Sequence, residues 1–409
     1  MKNYDVIVAG GGPAGTSTAV HLAMRGARVL LLEREKFPRA KLCGEFISPE
    51  CLAHFARLGV LDEMKEASGV RVGETKFFAR SGRRVSVPSA WFGREAGGGE
   101  AAAGALGLSR AEMDQRLLLR ARAVGVEVLE EAQVAGLLFE AAGRVRGVRV
   151  EWQGEMLELR AHVTIDATGR ARALARRVET AKGSAWVEAT ARVSTPKRMP
   201  LVAFKAHLEN VRSEESVCEI YFYRGGYGGL SRVENGLSNL CFIVAARDVR
   251  AHGSDAERVM REIVMSNTRA AETLRGARVR SEWLAVALES FGRRELVPAD
   301  GLLMVGDAAS FIDPFTGSGM LMALESGELA GACVTRALPD LRGAGGGTFA
   351  SLADDYRARY RERFGKRLRV CSWLRRAAFA PGLATEAGIV ALGASERMRR
   401  VVARATRPA

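Results

Sequence analysis

Histidine and cysteine are scarce in this chain. Its 409 residues include 5 histidines and 6 cysteines. The cysteines (Cys43, Cys51, Cys218, Cys241, Cys333 and Cys371) form no CxxC pair, which argues against a zinc site and against a disulfide scaffold. Also missing is any apolar run approaching the roughly 18 residues of a membrane span. No charged-then-apolar leader opens the sequence, so the expected setting is reducing and cytoplasmic, with a membrane-peripheral location as its variant. There is no internal repeat. The composition, 47% hydrophobic and 26% charged, is that of a folded protein. The length exceeds one compact core and implies two domains or a domain with elaborations. Net charge is +14 and uneven: Arg357, Arg359, Arg361, Arg363, Lys366, Arg367, Arg369, Arg375 and Arg376 stand against Glu362 alone. A basic run outside a recognition fold argues little for nucleic acid. No nucleic-acid partner is therefore expected, and peripheral contact of this region with a membrane is the alternative use of the charge.

Residues Tyr4 to Ala9 (YDVIVA) read as a buried parallel strand. Gly10-Gly11-Gly12-Pro13-Ala14-Gly15 follows as G-x-G-x-x-G, then helix-compatible residues to Gly26, a second strand from Ala27 to Leu32, and Glu33 at its end. Gly10 permits the tight turn, Gly12 the approach of a pyrophosphate, and Gly15 close helix–strand packing, while Pro13 and Ala14 open the helix whose N–H groups face the phosphates. Glu33 suits a ribose diol, and Arg34 follows it at the cofactor's edge. The unit implies an ADP moiety and does not separate FAD from NAD.

The choice comes from a distant segment, "GLLMVGDAASFIDPFTGSG" (301–319). A short apolar strand ends at Gly306-Asp307, and Pro314 with Gly317-Ser318-Gly319 opens a helix. The Asp suits sugar-chain hydroxyls, and the helix start suits the pyrimidine edge of a flavin. This segment resembles the second FAD motif of the flavoprotein superfamily that contains geranylgeranyl reductases and aromatic hydroxylases of the p-hydroxybenzoate hydroxylase type. Two further stretches agree. "GLSRAEMDQRLLLRARAVGVEVL" is similar to the family's Arg-x-x-x-Asp helix, which implies Arg110 near the ribityl–phosphate chain and Asp114 in support. "VTIDATGRAR" resembles its strand-end D-x-x-G segment.

Within "PRAKLCGEFISPE" (38–50), "KLCGE" resembles the Lys-x-Cys-Gly turn of the geranylgeranyl-reductase branch. The resemblance implies Cys43 and Gly44 close to the flavin ring. Cys43 and Glu45 are the candidate catalytic residues, against plain alternatives of a turn-shaping thiol and a solvated carboxylate. Where that branch carries a Tyr-x-Trp-x-Phe-Pro-Lys segment, this chain has "YGGLSRVE". Gly44-Glu45 and Lys76 also resemble flavin-dependent halogenases, but no W-x-W-x-I-P segment accompanies them.

The expected fold is α/β. A Rossmann-like FAD-binding domain (1–75, 104–182 and 276–345) is interrupted by an antiparallel-sheet substrate domain (76–103 and 183–275), and a basic helical region (346–409) follows. Gly225 to Gly229 reads as a turn cluster, and residues 96–107 as a flexible return connection. Tyr221, Tyr223 and Tyr227 are read either as sheet packing or as pocket lining. The expected function is an FAD-dependent oxidoreductase passing a hydride equivalent between flavin and an apolar, conjugated or phenolic small molecule. The alternatives are a monooxygenase acting on an aromatic or polyketide-like compound, a halogenase, and a flavoprotein that mainly binds. NADPH or another reduced donor would supply electrons, although Asp166-Ala167-Thr168-Gly169 replaces the hydroxylases' Asp-Gly pair.

Overall fold

Strand β1 (Asn3–Ala9) is buried from Tyr4 onward and pairs in parallel on both edges, with β2 (Val29–Leu32) and with the long strand Glu155–Asp166. Helix α1 (Pro13–Ala23) connects β1 to β2. In this computed structural model, residues 3–68, 70–92, 104–140, 143–182, 200–288, 291–343, 348–379 and 382–407 are described. Glu127–Leu129 adds to β2 in parallel. The far edge of Glu155–Asp166 divides its pairing: its end takes Leu302–Met304 in parallel, and its start takes Val145–Trp152, which pairs in turn with Gln133–Phe139. This seven-stranded sheet carries the expected dinucleotide fold.

Helix Gly319–Arg342 lies directly on α1. The approach is close because Gly327 has no side chain. A Cβ there would lie 2.5 Å from the Ala14 carbonyl oxygen and 2.9 Å from Ser17 Cβ. Ser17 Oγ donates to the Leu324 carbonyl at 3.0 Å. The two glycine-bearing motifs, some 300 residues apart, are thereby held in one register.

The second sheet has eight strands. Leu201–Glu209, Ser238–Ala245, Gly226–Arg232 and Val217–Tyr223 are antiparallel neighbours, and Glu74–Phe78 joins the last of these in parallel before pairing with Arg84–Pro88. The sheet is thus antiparallel except for one pair. Three strands cross the boundaries expected from sequence, among them Arg278–Val279 of the 276–345 segment, which pairs with Leu201–Glu209. Glu74–Phe78 begins before residue 76, and Leu284–Leu288, inside the 276–345 segment, pairs with Leu201–Glu209 rather than with the first sheet. Gly226 to Gly229 are strand residues and not a turn; of the cluster only Gly225 takes positive φ, +82°. Residues 183–199 and 93–103, including most of the expected return connection, lie outside the described residues.

Alternation separates the three tyrosines. Tyr221 and Tyr223 pack in one core with Val259 and Met260, while Tyr227 and Phe222 belong to the opposite face, with Ile243 and Ile389. The C-terminal region is helical as expected: Phe349–Ala378, Gly382–Ala394 and Glu396–Ala405. Seven of its described arginines pair within the fold, Arg357 with Glu295, Arg359 with Asp355, Arg363 and Arg367 with Glu325, Arg375 with Asp313, Arg400 with Glu396, and Arg407 with Glu50. Among the described residues no helix is long and apolar enough to cross a membrane.

The Gly327→Ala variant places a methyl group against the α1 backbone. It should cost about 1–3 kcal/mol and weaken FAD retention, both read from thermal unfolding with and without added FAD. Unchanged stability and retention would show that the helices tolerate separation.

Candidate active site

One cavity of about 1750 Å³ runs between the two sheets. It exceeds the roughly 300–1,000 Å³ of a pocket built for one small molecule, and its two ends differ in chemistry.

At the first end lies the N-terminus of α1. Gly12 is its N-cap, leaving the first-turn N–H groups open to an anion. A Cβ on Gly12 would stand 3.8 Å from Arg110 Nη2 and 3.9 Å from Arg39 Nη2, so an anion above this turn meets two guanidinium groups as well. Gly15 faces the turn from behind, where a Cβ would fall 1.8 Å from the Gly10 carbonyl oxygen. Glu33 is buried at the end of β2. Its Oε2 accepts from Gly11 N at 2.9 Å and Arg39 at 3.1 Å, and its Oε1 accepts from Glu35 N at 3.1 Å. Burial pushes the Glu33 carboxyl up, but the Arg39 charge and the two N–H bonds outweigh it and hold the group below the usual carboxylate range. Arg39 continues to Asp114 at 3.0 Å, and Asp114 receives Arg110 in a two-point pair at 2.9 and 2.7 Å. Opposite charges therefore alternate Glu33–Arg39–Asp114–Arg110. Arg34 stands largely exposed at the rim and pairs with Glu35.

The second motif closes this end. Asp307 borders the cavity, and burial raises its carboxyl against the pull of Arg170, Arg110 and Lys41. Pro314–Thr316 forms one tight turn, Gly317 takes φ +61°, and the helix starts at Gly319. Ser318 is turned inward, with its hydroxyl donating to the Thr406 carbonyl at 3.2 Å. A glycine turn open above a helix N-terminus, two cations over it, a ribose-height carboxylate and a second open helix start fit the pyrophosphate, ribose and flavin portions of FAD.

Between the two ends passes the turn Lys41 to Glu45, pinned by the second sheet. Asn239 Nδ2 donates to the Cys43 carbonyl at 3.0 Å, and Lys205 Nζ to the Lys41 carbonyl at 3.2 Å. Glu45, with φ +54°, is buried; its Oε1 takes Lys205 Nζ and the Arg110 N–H at 2.8 Å, and its Oε2 meets His207 Nε2 at 2.6 Å. Burial disfavours the Glu45 charge, but the His207 bond and the Lys205 charge prevail and hold its pKa below the usual value. Cys43 Sγ accepts the Glu45 N–H at 3.4 Å and borders the cavity. A Cβ on Gly44 would meet nothing within 4 Å, leaving that wall open.

The far end is apolar. Phe77, Ile220, Phe222 and Ile243 of the sheet face Leu374 and Ile389 of the C-terminal helices. Its polar groups include Tyr227, whose hydroxyl donates to the buried Asp313, itself paired with Arg375 at 2.9 Å, and Arg399 and Arg407 of the C-terminal segment also reach the lining. Burial raises both the Tyr227 hydroxyl and the Asp313 carboxyl.

Of the residues singled out from sequence, Gly10, Gly12, Pro13, Ala14, Glu33, Arg34, Cys43, Gly44, Glu45, Arg110, Asp307, Pro314, Gly317 and Gly319 border this cavity, while Gly15 and Ser318 pack behind it. Lys76 faces away: its strand neighbours Thr75 and Phe77 line the cavity, and its ammonium pairs with Glu74 at 3.2 Å and with Glu214. That removes the lysine on which the halogenase resemblance drew. Arg39, Lys205, His207, Asp313 and Arg375 escaped the sequence reading. One signal existed for two of them: Lys205 and His207 sit two apart in the apolar stretch "LVAFKAHL", which puts both on one strand face.

A family model described as FAD binding domain matches residues 3–328. The chain is 28% identical over 368 residues to digeranylgeranylglycerophospholipid reductase 2 of Methanopyrus kandleri, covering 89% of this chain and 83% of that protein. Among solved structures, a geranylgeranyl bacteriochlorophyll reductase-like protein from Thermoplasma acidophilum superposes with a TM-score of 0.77 at 20% identity, over 100% of this chain and 97% of the other. A flavin-dependent brominase superposes with a TM-score of 0.78 at 18% identity, over 99% and 93%. Both likenesses are of fold.

Removing the Glu45 charge strands the buried Lys205 ammonium. Glu45→Gln should destabilise the protein by about 3–5 kcal/mol at neutral pH. Because the folded-state pKa of Glu45 is lowered, its contribution is complete above the ordinary carboxylate range and is lost as pH falls through the lowered value. The gap between parent and variant, followed by urea unfolding, should therefore narrow on acidification below about pH 4.5. A constant gap would contradict the assignment.

Proposed function

The chain belongs to the FAD binding domain family and is an FAD-dependent oxidoreductase, and from that premise we propose that it saturates a carbon–carbon double bond in an apolar, isoprenoid-like molecule. The observation that carries the proposal is the apolar end of the cavity, which opens from the FAD-binding end and is walled mainly by aliphatic and aromatic side chains, with Arg399 and Arg407 the charged residues that the C-terminal segment adds to the lining. The reductase named among the relatives supports the same chemistry.

FAD, when bound, supplies the hydride equivalent. The protein's own part is orientation, exclusion of water and one proton. The α1 N-terminus and Arg110 hold the pyrophosphate, Glu33 the ribose, Asp307 the sugar chain and the Gly317–Gly319 start the ring edge. Phe77, Ile220, Phe222 and Ile243 keep water from the reacting carbon atoms. Saturating an olefin consumes a hydride at one carbon and a proton at the other. Cys43, at the join of the two ends, donates that proton from its thiol and regains one from solvent. Glu45, with both oxygens engaged, is a positioning residue that fixes the turn bearing Cys43. Electrons reach the cofactor from NADPH or another reduced carrier. Hydroxylation of an aromatic compound is the second reading, favoured by Tyr227, which would face a ring in the apolar end.

The test is anaerobic. FAD-loaded protein, chemically reduced, is mixed with a geranylgeranyl lipid, and flavin absorbance and product mass are followed. Reoxidation with a product heavier by two hydrogens is expected. Reoxidation only in air, coupled to oxygen insertion into a phenol, would favour the second reading. In the same assay Cys43→Ala should slow turnover by about 100-fold with FAD content unchanged, while Tyr227→Phe should alter the apparent substrate affinity more than the rate. Full activity in Cys43→Ala would remove the thiol from the mechanism.

A further inference from the structure

The helix Gly382–Ala394 is apolar on every side, and its one charge, Glu386, is bonded to Ser81. Its inner face, with Ile389 and Leu392, lines the apolar end of the cavity. Its outer face presents Ala384, Ala387, Val390, Ala391 and Ala394 to solvent, with Val390 50% exposed. An all-round apolar helix in a water-soluble fold is expected to be covered. The helix after it, Glu396–Ala405, repeats the arrangement. Val402 and Ala403 line the cavity, while Met398 and Val401 are 41% and 62% exposed between the exposed Arg397, Arg400 and Arg404. On the helix before it, Trp373 is 63% exposed, and the 3.6-residue period puts Lys366, Arg369 and Arg376 on the same face, all exposed. Four of the eight large hydrophobic side chains that stand exposed among the described residues fall between 373 and 401. From 357 to the end, fourteen Lys and Arg residues face three Glu residues, so this short region carries most of the +14 net charge.

We propose that the outer faces of these three C-terminal helices form a docking surface for an anionic lipid bilayer. Val390, Met398, Val401 and Trp373 enter the headgroup boundary, and Lys366, Arg369, Arg376, Arg397 and Arg404 contact lipid phosphate. Apolar residues flanked by cations on amphipathic helices match the interfacial mode of binding, with the basic side chains strengthening attraction to anionic lipid. A nucleic acid would use the cations but leave the aliphatic face in water, and a second copy of this chain would bring like charge against like. The inner faces of the same two final helices wall the apolar cavity, so the bilayer lies one helix thickness from the substrate's place. This last step rests on the apolar substrate proposed above, whereas the docking surface does not.

The experiment is co-sedimentation of the full FAD-loaded chain with phosphatidylcholine vesicles and with vesicles containing phosphatidylglycerol, at low and high salt. Binding to the anionic vesicles, weakened by salt, is expected, with Trp373 fluorescence shifting to the blue and the shift lost in Trp373→Phe. Val390→Glu with Val401→Glu should weaken partition by about tenfold with FAD content and thermal unfolding unchanged. If those changes disturb folding, Lys366→Gln with Arg369→Gln, which lies on an outward face only, must lower the partition instead. No binding to anionic vesicles overturns the proposal, as does binding that all these variants retain. A dimer in sedimentation equilibrium that Val390→Glu dissociates, with no vesicle binding, overturns it in favour of a second copy. Equal retention on DNA, indifferent to the aliphatic substitutions, overturns it in favour of nucleic acid. None of these readouts requires turnover, so a failed reductase assay leaves this result standing.

Discussion

A buried carboxylate with two basic partners holds the two sheets of this protein in one arrangement. Glu45 belongs to the first domain's turn, while Lys205 and His207 belong to the second sheet; taking the Glu45 and Lys205 charges out of water is costly, either alone would be unstable there, and the partly covered His207 adds a second partner to the carboxylate. The group is satisfied only when the turn and the strand meet, so docking of the sheets and the path of Lys41 to Gly44 past the cavity are a single event. The Arg110 N–H bond to the same carboxylate carries the constraint to the helix whose guanidinium overlooks the α1 N-terminus. A loss at Glu45 is thus felt at both ends of the cavity.

A second charged set works differently. In the chain Glu33–Arg39–Asp114–Arg110, each member has opposite charges beside it, and the end arginine still points toward the place of an anion. The carboxylates fix the guanidinium groups in advance, and a pyrophosphate meets cations that need no reorganisation. At the other end the logic reverses. The cavity there is aliphatic and aromatic, and its polar cluster Tyr227–Asp313–Arg375 is bonded within itself. Burial keeps the Tyr227 hydroxyl neutral, so this end offers a ligand a neutral hydroxyl amid mostly apolar surface, with Arg399 and Arg407 at its C-terminal wall.

The dinucleotide half was legible because its constraints are local. A strand, a glycine turn, a helix and a terminal acid follow one another within thirty-three residues, and each glycine has a steric reason that survives without tertiary information. The second motif was legible for the same reason, but its registration on α1 through Gly327 was not, since a glycine inside a helix says nothing about which helix crosses it. The glycines from 226 to 229 misled: in isolation such a run signals a turn, whereas Gly226 lies where a Cβ would strike the Ile243 carbonyl at 1.9 Å, and the run is strand. Arg39, Lys205 and His207 were hidden because a charged residue reveals its partner only when distant segments are folded together. The two faces of Gly382–Ala394 were hidden too, since a sequence without polar periodicity does not say which side is covered.

The proposed function requires one cavity to seat FAD at its polar end and an apolar molecule at the other, both at once. The most direct measurement is a titration of FAD-loaded protein with a geranylgeranyl compound under anaerobic conditions, following the flavin absorption spectrum and the free FAD released. The prediction is a saturating spectral perturbation at one ligand per chain with FAD still bound. Displacement of FAD by the apolar compound, or a spectrum that never changes, would contradict it.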